Sequence, residues 1–132
     1  MNMKKLTLLL LLMVSTSVFA KWTEVGGNDD QTAYADLGTI KRKGHKVKMW
    51  SLSDLKTVQI FVGDNTRYLS SVVRREYDCE EEIMRRLDIH WYSGSMAGGE
   101  IVWSSTNIKN DATSILPGSI SEVFFKIACG KK

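Results

Sequence analysis

The sequence predicts an α+β, mostly β domain: one antiparallel sheet of about five to six strands, with a short C-terminal helix packed on one face and tethered there by a disulfide. Three observations carry this reading. Stretches between Trp22 and Ser105 alternate apolar and polar side chains with a period of two, joined by short polar or glycine-containing connections. Ser119-Ile120-Ser121-Glu122 has the spacing of a capping box, and Ile120, Val123, Phe124 and Ile127 follow at helical intervals. Cys79 and Cys129 are the two cysteines of the chain, so each has one possible partner.

Residues 1–20 read as a secretory signal peptide outside the fold. Lys4 and Lys5 give a positive start, Leu6 to Val14 is apolar apart from Thr7, and Val18-Phe19-Ala20 places small residues where a signal peptidase reads. A membrane anchor would need about 18–20 apolar residues, far more than this run supplies. No span is expected after signal removal. Lys21 rather than Cys follows the expected cut, so no lipid anchor is implied. The expected location is the periplasm, the cell surface or the medium.

The exported portion, 21–132, is one domain, large enough to bury roughly two thirds of its unfolded surface. Two of the 18 basic residues lie in the leader, so the domain is nearly neutral against its 15 acidic side chains. That balance gives no case for nucleic acid or an anionic membrane. In an oxidising compartment an even cysteine count reads as a disulfide. Closing the 79–129 loop would stabilise by roughly 4 kcal/mol on chain-entropy grounds.

Taken in order, Trp22 to Val25 is a first strand, Gly26 to Asp30 a polar loop, and Thr32 to Leu37 a second extended piece. Ile40 to Leu52 is a strand pair or one strand with a charged approach, with Gly44 the turn candidate and Val47, Met49 and Ser51 on one parity. The approach to it, Lys41, Arg42, Lys43, Lys46 and Lys48, is the densest positive patch in the chain. It would serve as a contact for sulfated glycans or an acidic protein, although a solvated tip that discourages edge pairing is the commoner outcome. Trp50 has the opposite parity to Val47. It falls on the uncovered face, as a contact for a protein or a second copy, unless a bulge returns it to the core, which is the favoured reading.

Lys56 to Val62 is a separate, weaker strand ended by Gly63-Asp64-Asn65. Thr66 to Cys79 is the longest extended run, with Leu69, Val73, Tyr77 and Cys79 on the apolar parity and Arg74, Glu76 and Asp78 on the other. Glu80-Glu81-Glu82 is a solvated turn. Ile83 to Ser93 places Ile83, Leu87, Ile89 and Trp91 on one face and Met84, Arg86, Asp88, His90 and Tyr92 on the other, with Arg85 breaking the apolar set. Gly94 to Gly99 is a hairpin connection, Glu100 to Ser105 returns Ile101 and Trp103 to the apolar side, and Thr106 to Leu116 is irregular. The tryptophans and tyrosines are mostly interior candidates. The terminal helix runs to about Cys129 and stops at Gly130; at that length it needs the sheet and the tether to persist.

No catalytic constellation emerges, and the chain reads as a non-enzyme without cofactor or metal. A nucleophile pairing Cys79 or Cys129 with His45 or His90 requires a reduced thiol, against the export signal. Asp29-Asp30 lacks the further oxygen ligands of a calcium loop, and two distant histidines without CxxC give no zinc signature. Gly94 to Gly99 lacks the Lys-Ser/Thr ending of a phosphate loop, and Ser95 is not centred in a nucleophile elbow.

Several motifs together carry a family resemblance: Tyr34-x-Asp36, Trp50 after a charged strand, Glu76-Tyr77-Asp78-Cys79, Tyr92-Ser93-Gly94-x-Met96, and Pro117-Gly118-Ser119 leading to Cys129. Through them the chain resembles the surface-adhesin protein E-like family of Gram-negative bacteria over most of its exported length. The resemblance implies an antiparallel sheet with the C-terminal helix held on its concave face by the disulfide. It also implies adhesion to host extracellular-matrix or plasma proteins, and homodimer formation. The alternative is a periplasmic structural or stress-related envelope protein with no host ligand.

Overall fold

The computed structural model describes residues 21–109 and 111–130; the expected signal peptide, residues 1–20, lies outside them. The strands are β1 (Thr23–Gly27), β2 (Gln31–Lys43), β3 (Lys46–Phe61), β4 (Thr66–Asp78), β5 (Ile83–Tyr92), β6 (Ile101–Ser105) and β7 (Thr113–Ser114), followed by helix α1 (Ile120–Cys129). They form one antiparallel sheet in sequential order β1-β2-β3-β4-β5-β6, with β7 paired to β5. This is the predicted meander, with one short strand more than expected. The extra strand, β7, lies in the irregular stretch.

Local chemistry sets the turns. Asn28 Oδ1 accepts from the backbone N–H groups of Asp30 (2.8 Å) and Gln31 (3.1 Å), an Asx turn that reverses β1 into β2. Gly44 adopts φ +64° in the tight β2–β3 connection, a left-handed conformation that favours glycine. Asp64 Oδ1 accepts from the Thr66 N–H and hydroxyl, starting β4.

Three expectations need correction, and bulges cause all of them. Lys56–Phe61 is not a separate strand but the far half of β3, which continues through a register shift between Asp54 and Gln59. The extended pieces at Thr32 and Ile40 are likewise one strand, β2, shifted between Asp36 and Lys41. In β5 the register shifts so that Asp88 faces Arg74 while Arg86 faces Arg75. Directly paired residues share a sheet face, so Met84 and Arg86 lie on one side while Asp88 and His90 lie on the other. The uniform alternation expected for β5 fails at that point, and Arg85, the residue that broke the apolar set, joins the polar face opposite Glu76.

Helix α1 packs over β1 to β4. Ser119 Oγ accepts from the Glu122 N–H at 3.2 Å, as the capping box predicts, while Glu122 Oε1 reaches back to the Gly118 N–H at 3.3 Å. Gly130 caps the other end at φ +69°. The seat is built from small residues: Ala33 and Ala35 are buried in one cluster with Val47, Met49, Tyr77, Phe124, Phe125 and Ala128. A Cβ at Gly26 would stand 3.0 Å from Val123 Cγ1, so glycine there permits the close approach of helix to strand. The Cys79–Cys129 disulfide joins the end of the helix to the turn after β4, with Cα atoms 5.7 Å apart.

Beneath the helix lies Arg75, whose Nη1 donates to Ser51 Oγ at 2.8 Å and whose guanidinium stands 5.2 Å from the Phe124 ring centroid. Burial pulls this guanidinium below its ordinary pKa and pushes the neighbouring Tyr77 phenol above its own. The aromatic residues are less interior than expected. Tyr77, Phe124 and Phe125 are buried, but Trp91 joins Tyr68 (4.2 Å between centroids), Trp103 (4.5 Å) and Phe61 (5.8 Å) in a cluster where Phe61 and Trp103 are exposed. β6 is an edge strand with little packed over it, so its apolar side chains remain accessible.

Candidate functional site

Because Val47 and Met49 point into the helix-covered core, the alternate residues Lys46, Lys48 and Trp50 point to the opposite, helix-free face. Cross-strand pairing brings Lys41 opposite Lys48 and Lys43 opposite Lys46. Four exposed ammonium groups therefore share one face of the β2–β3 hairpin. Arg42 does not join them. Paired with Val47, it turns to the helix side, where its Nη2 donates to the Cys129 carbonyl at 3.4 Å. A cation there complements the negative end of the helix dipole.

Trp50 lies on the helix-free face and was not returned to the core by a bulge, because the β2 register shift begins just beyond it, after Asp36. Its ring stacks on His90 at 6.0 Å and an 18° interplanar angle, with the Arg74 guanidinium 5.7 Å from its centroid. Arg74 is also held by Asp88 at 2.5 Å, and His90 Nδ1 lies 2.8 Å from Ser104 Oγ. Trp50 is thus a half-buried strut of this face.

Sequence reasoning missed the second part of the site. An open groove of about 650 Å³ is lined by Lys48, Arg74, Arg85, Lys109 and Asp111 among others. A groove of about 580 Å³ around Lys41, Arg42, Lys43, His45, Lys46 and Glu76 shares Lys48 with it. The misfit of Arg85 in the β5 alternation was the available signal. Lys109 sits in a stretch without periodicity and gave none.

Asp78 anchors this end of the sheet. Its Oδ1 accepts from the backbone N–H groups of Glu81 (3.0 Å) and Glu80 (3.1 Å), and its Oδ2 lies 3.4 Å from His45 Nε2. The Glu81 N–H is the largest cause holding its carboxyl below the ordinary carboxylate pKa; the Glu80 N–H, His45 and Lys46 add to this against partial burial. A lowered folded-state pKa means that the carboxylate stabilises the fold above the unfolded value, about 3.9, and that this contribution disappears as pH falls through the folded value. Thermal melts from pH 6 down to about pH 3 should therefore show a steeper acid loss for the wild type than for Asp78→Asn. Parallel profiles would contradict this role.

Among the described residues no group of three or more His, Cys, Asp or Glu side chains is placed to hold a metal ion, and no helix is long and apolar enough to cross a membrane. Both cysteines are consumed in the disulfide, so neither is a thiol that His45 or His90 could activate.

Solved structures of Haemophilus influenzae protein E superpose on this chain. Crystal form II does so with a TM-score of 0.60 at 14% identity, covering 87% of this chain and 91% of that one. A further structure of the same protein gives 0.57 at 14% identity, over 87% and 88%, and one from a non-typeable strain gives 0.55 at 14%, over 87% and 79%. At such identity the likeness speaks for the fold. No curated protein matches the sequence. The model of the surface-adhesin protein E family matches residues 22–130, nearly the whole of the folded domain, and the chain belongs to that family.

Proposed function

We propose that this protein is an exported, non-catalytic binding module of the adhesin type, which contacts a host extracellular-matrix or plasma protein through the helix-free face of the β2–β3 hairpin. One observation carries the placement: Lys41, Lys43, Lys46 and Lys48 project together from a rigid two-stranded element, and no ion pair engages any of them among the described residues. Membership of a surface-adhesin family supports the binding role, and the basic-start, apolar leader supports export. A homodimer, as the family resemblance implies, would present two such faces, and sedimentation of the purified protein reads that state directly.

The test is saturable binding of the purified protein to immobilised matrix and plasma proteins, paired with protease accessibility on intact cells. We expect a saturable signal to at least one of these proteins and digestion of the chain on intact cells. Absence of any saturable signal, or complete protection within the periplasm, overturns the adhesin reading.

A further inference from the structure

Resting on that reading, we propose that the lysine face of the β2–β3 hairpin is a docking site for a linear sulfated polysaccharide, the kind of chain carried by matrix proteoglycans. The hairpin sets like charges directly opposite each other in two successive same-face pairs, Lys41 with Lys48 and Lys43 with Lys46. Such pairs oppose the strand pairing that holds them. Along each strand the lysines repeat at roughly 6.5–7 Å, and across the pair their Cβ atoms stand about 5 Å apart. The result is a two-by-two lattice of point charges on a stiff support.

The face is only partly neutralised from within, Lys46 and Asp78 sharing a weak attraction beyond ion-pair distance. Glu76 and Asp78 stand across β4 from Lys48 and Lys46, but Glu76 is engaged by Arg85 at 2.9 Å and Asp78 by the backbone N–H groups of its turn and by His45. His45 also lies 3.6 Å from Glu80. The lattice continues into the neighbouring groove through Lys48, where Lys109 adds a further ammonium and Asp111 the opposing charge. A ligand with closely and regularly spaced anions along a chain meets more of these cations at once than an isolated anion does.

The chemistry of the side chains selects among polyanions. Carboxylates on an acidic peptide are best gripped by the bidentate fork of arginine, and the hairpin's one arginine, Arg42, is turned away to the helix end. Single-stranded nucleic acid is held by aromatic platforms interleaved with cations, and no aromatic lies among the four lysines; Trp50 is already stacked on His90. Ammonium groups without forks or platforms suit sulfate, which needs charge and demands little direction.

The probe is heparin, immobilised on a column and eluted with salt, with the purified protein as ligand. We expect retention that weakens steeply with ionic strength. Loss of either lysine pair, as K41Q/K48Q or K43Q/K46Q, should weaken binding roughly ten- to thirty-fold. Lys126→Gln, on the helix, should leave it unchanged, and each variant's melting curve confirms that it is folded. Desulfated heparin should fail to compete. Failure of the wild type to be retained, or retention of both pair variants equal to that of the wild type, overturns the proposal whatever the protein-binding panel shows. Equal competition by polyglutamate or single-stranded DNA overturns the sulfated-glycan assignment in favour of an acidic protein or a general polyanion site.

Discussion

Cys129→Ser is expected to destabilise the domain by about 2–5 kcal/mol and to lower its thermal midpoint by roughly 10 °C or more. The physical reason lies in what remains without the sulfur link. Helix α1 is 10 residues long, too short to persist alone in water. Its other restraints are the Ser119 cap at one end, the Arg42 guanidinium on the Cys129 carbonyl at the other, and the packing of Phe124, Phe125 and Ala128 against β2 to β4. Cutting the tether frees the last turn first, because the two large packing side chains, Phe124 and Phe125, lie before it and only Ala128 packs within it. Hydrogen exchange should therefore show the α1 amides losing protection ahead of the β3 and β4 amides. Cys79→Ser should match it in midpoint, since either change opens the same 79–129 loop. A variant that melts with the wild type would show that packing alone holds the helix and that the disulfide is incidental.

How much of this was legible beforehand depended on whether a feature is local or set by register. The helix was read correctly because its signals sit within a few residues: Ser119 and Glu122 at the start, an apolar stripe, and Gly130 at the end. The turns at Asn28, Gly44 and Asp64 were legible for the same reason. Side-chain direction within each strand was legible only up to the next bulge. Val47, Met49 and Tyr77 fell on the core face as their parity demanded, but Met84 and Asp88 did not keep the common face that an unbroken β5 would give them. A bulge inserts one residue and reverses every later side chain, and no composition rule marks where it falls. Lys56 to Val62 reads as a new strand because the alternation pauses after Asp54, and between Asp54 and Gln59 the backbone shifts register without stopping.

The same distinction governs the candidate site. A run of basic residues is visible in any sequence, but the division of Lys41-Arg42-Lys43 into two lysines on one face and an arginine on the other follows from the Arg42–Val47 pairing. One substitution in that run would therefore touch the helix terminus and the others the open face. Arg85 lines the same groove as Lys48 and Arg74 because it pairs with Glu76 on the helix-free face. Polar side chains on the helix side were also hidden: Arg75 shares parity with Val73 and Tyr77, yet it is tolerated there because Ser51 Oγ accepts a hydrogen bond from its Nη1 and the Phe124 ring covers its charge.

Phe124→Ala should cost about 3–5 kcal/mol, the range for removing a buried aromatic side chain. Phe124 is fully buried, in one cluster with Ala33, Ala35, Val47 and Met49, and the two alanines beside it are too short to fill the space it leaves. Its ring also faces the Arg75 guanidinium, so truncation exposes a buried cation to a cavity as well as removing apolar contact. Water entering beside that cation would recover part of the loss, which places the expected value toward the lower end of the range. Combining Phe124→Ala with Cys129→Ser separates two pictures of the helix. If α1 docks as one unit, either change alone loosens it. The second change then removes less than it does in the wild type, and the pair falls short of the sum by at least about 0.5 kcal/mol. Denaturant midpoints of the four proteins in the cycle measure this directly. Full additivity would mean that the packed middle of the helix and its tethered end hold to the sheet independently, and that the disulfide secures only the last turn.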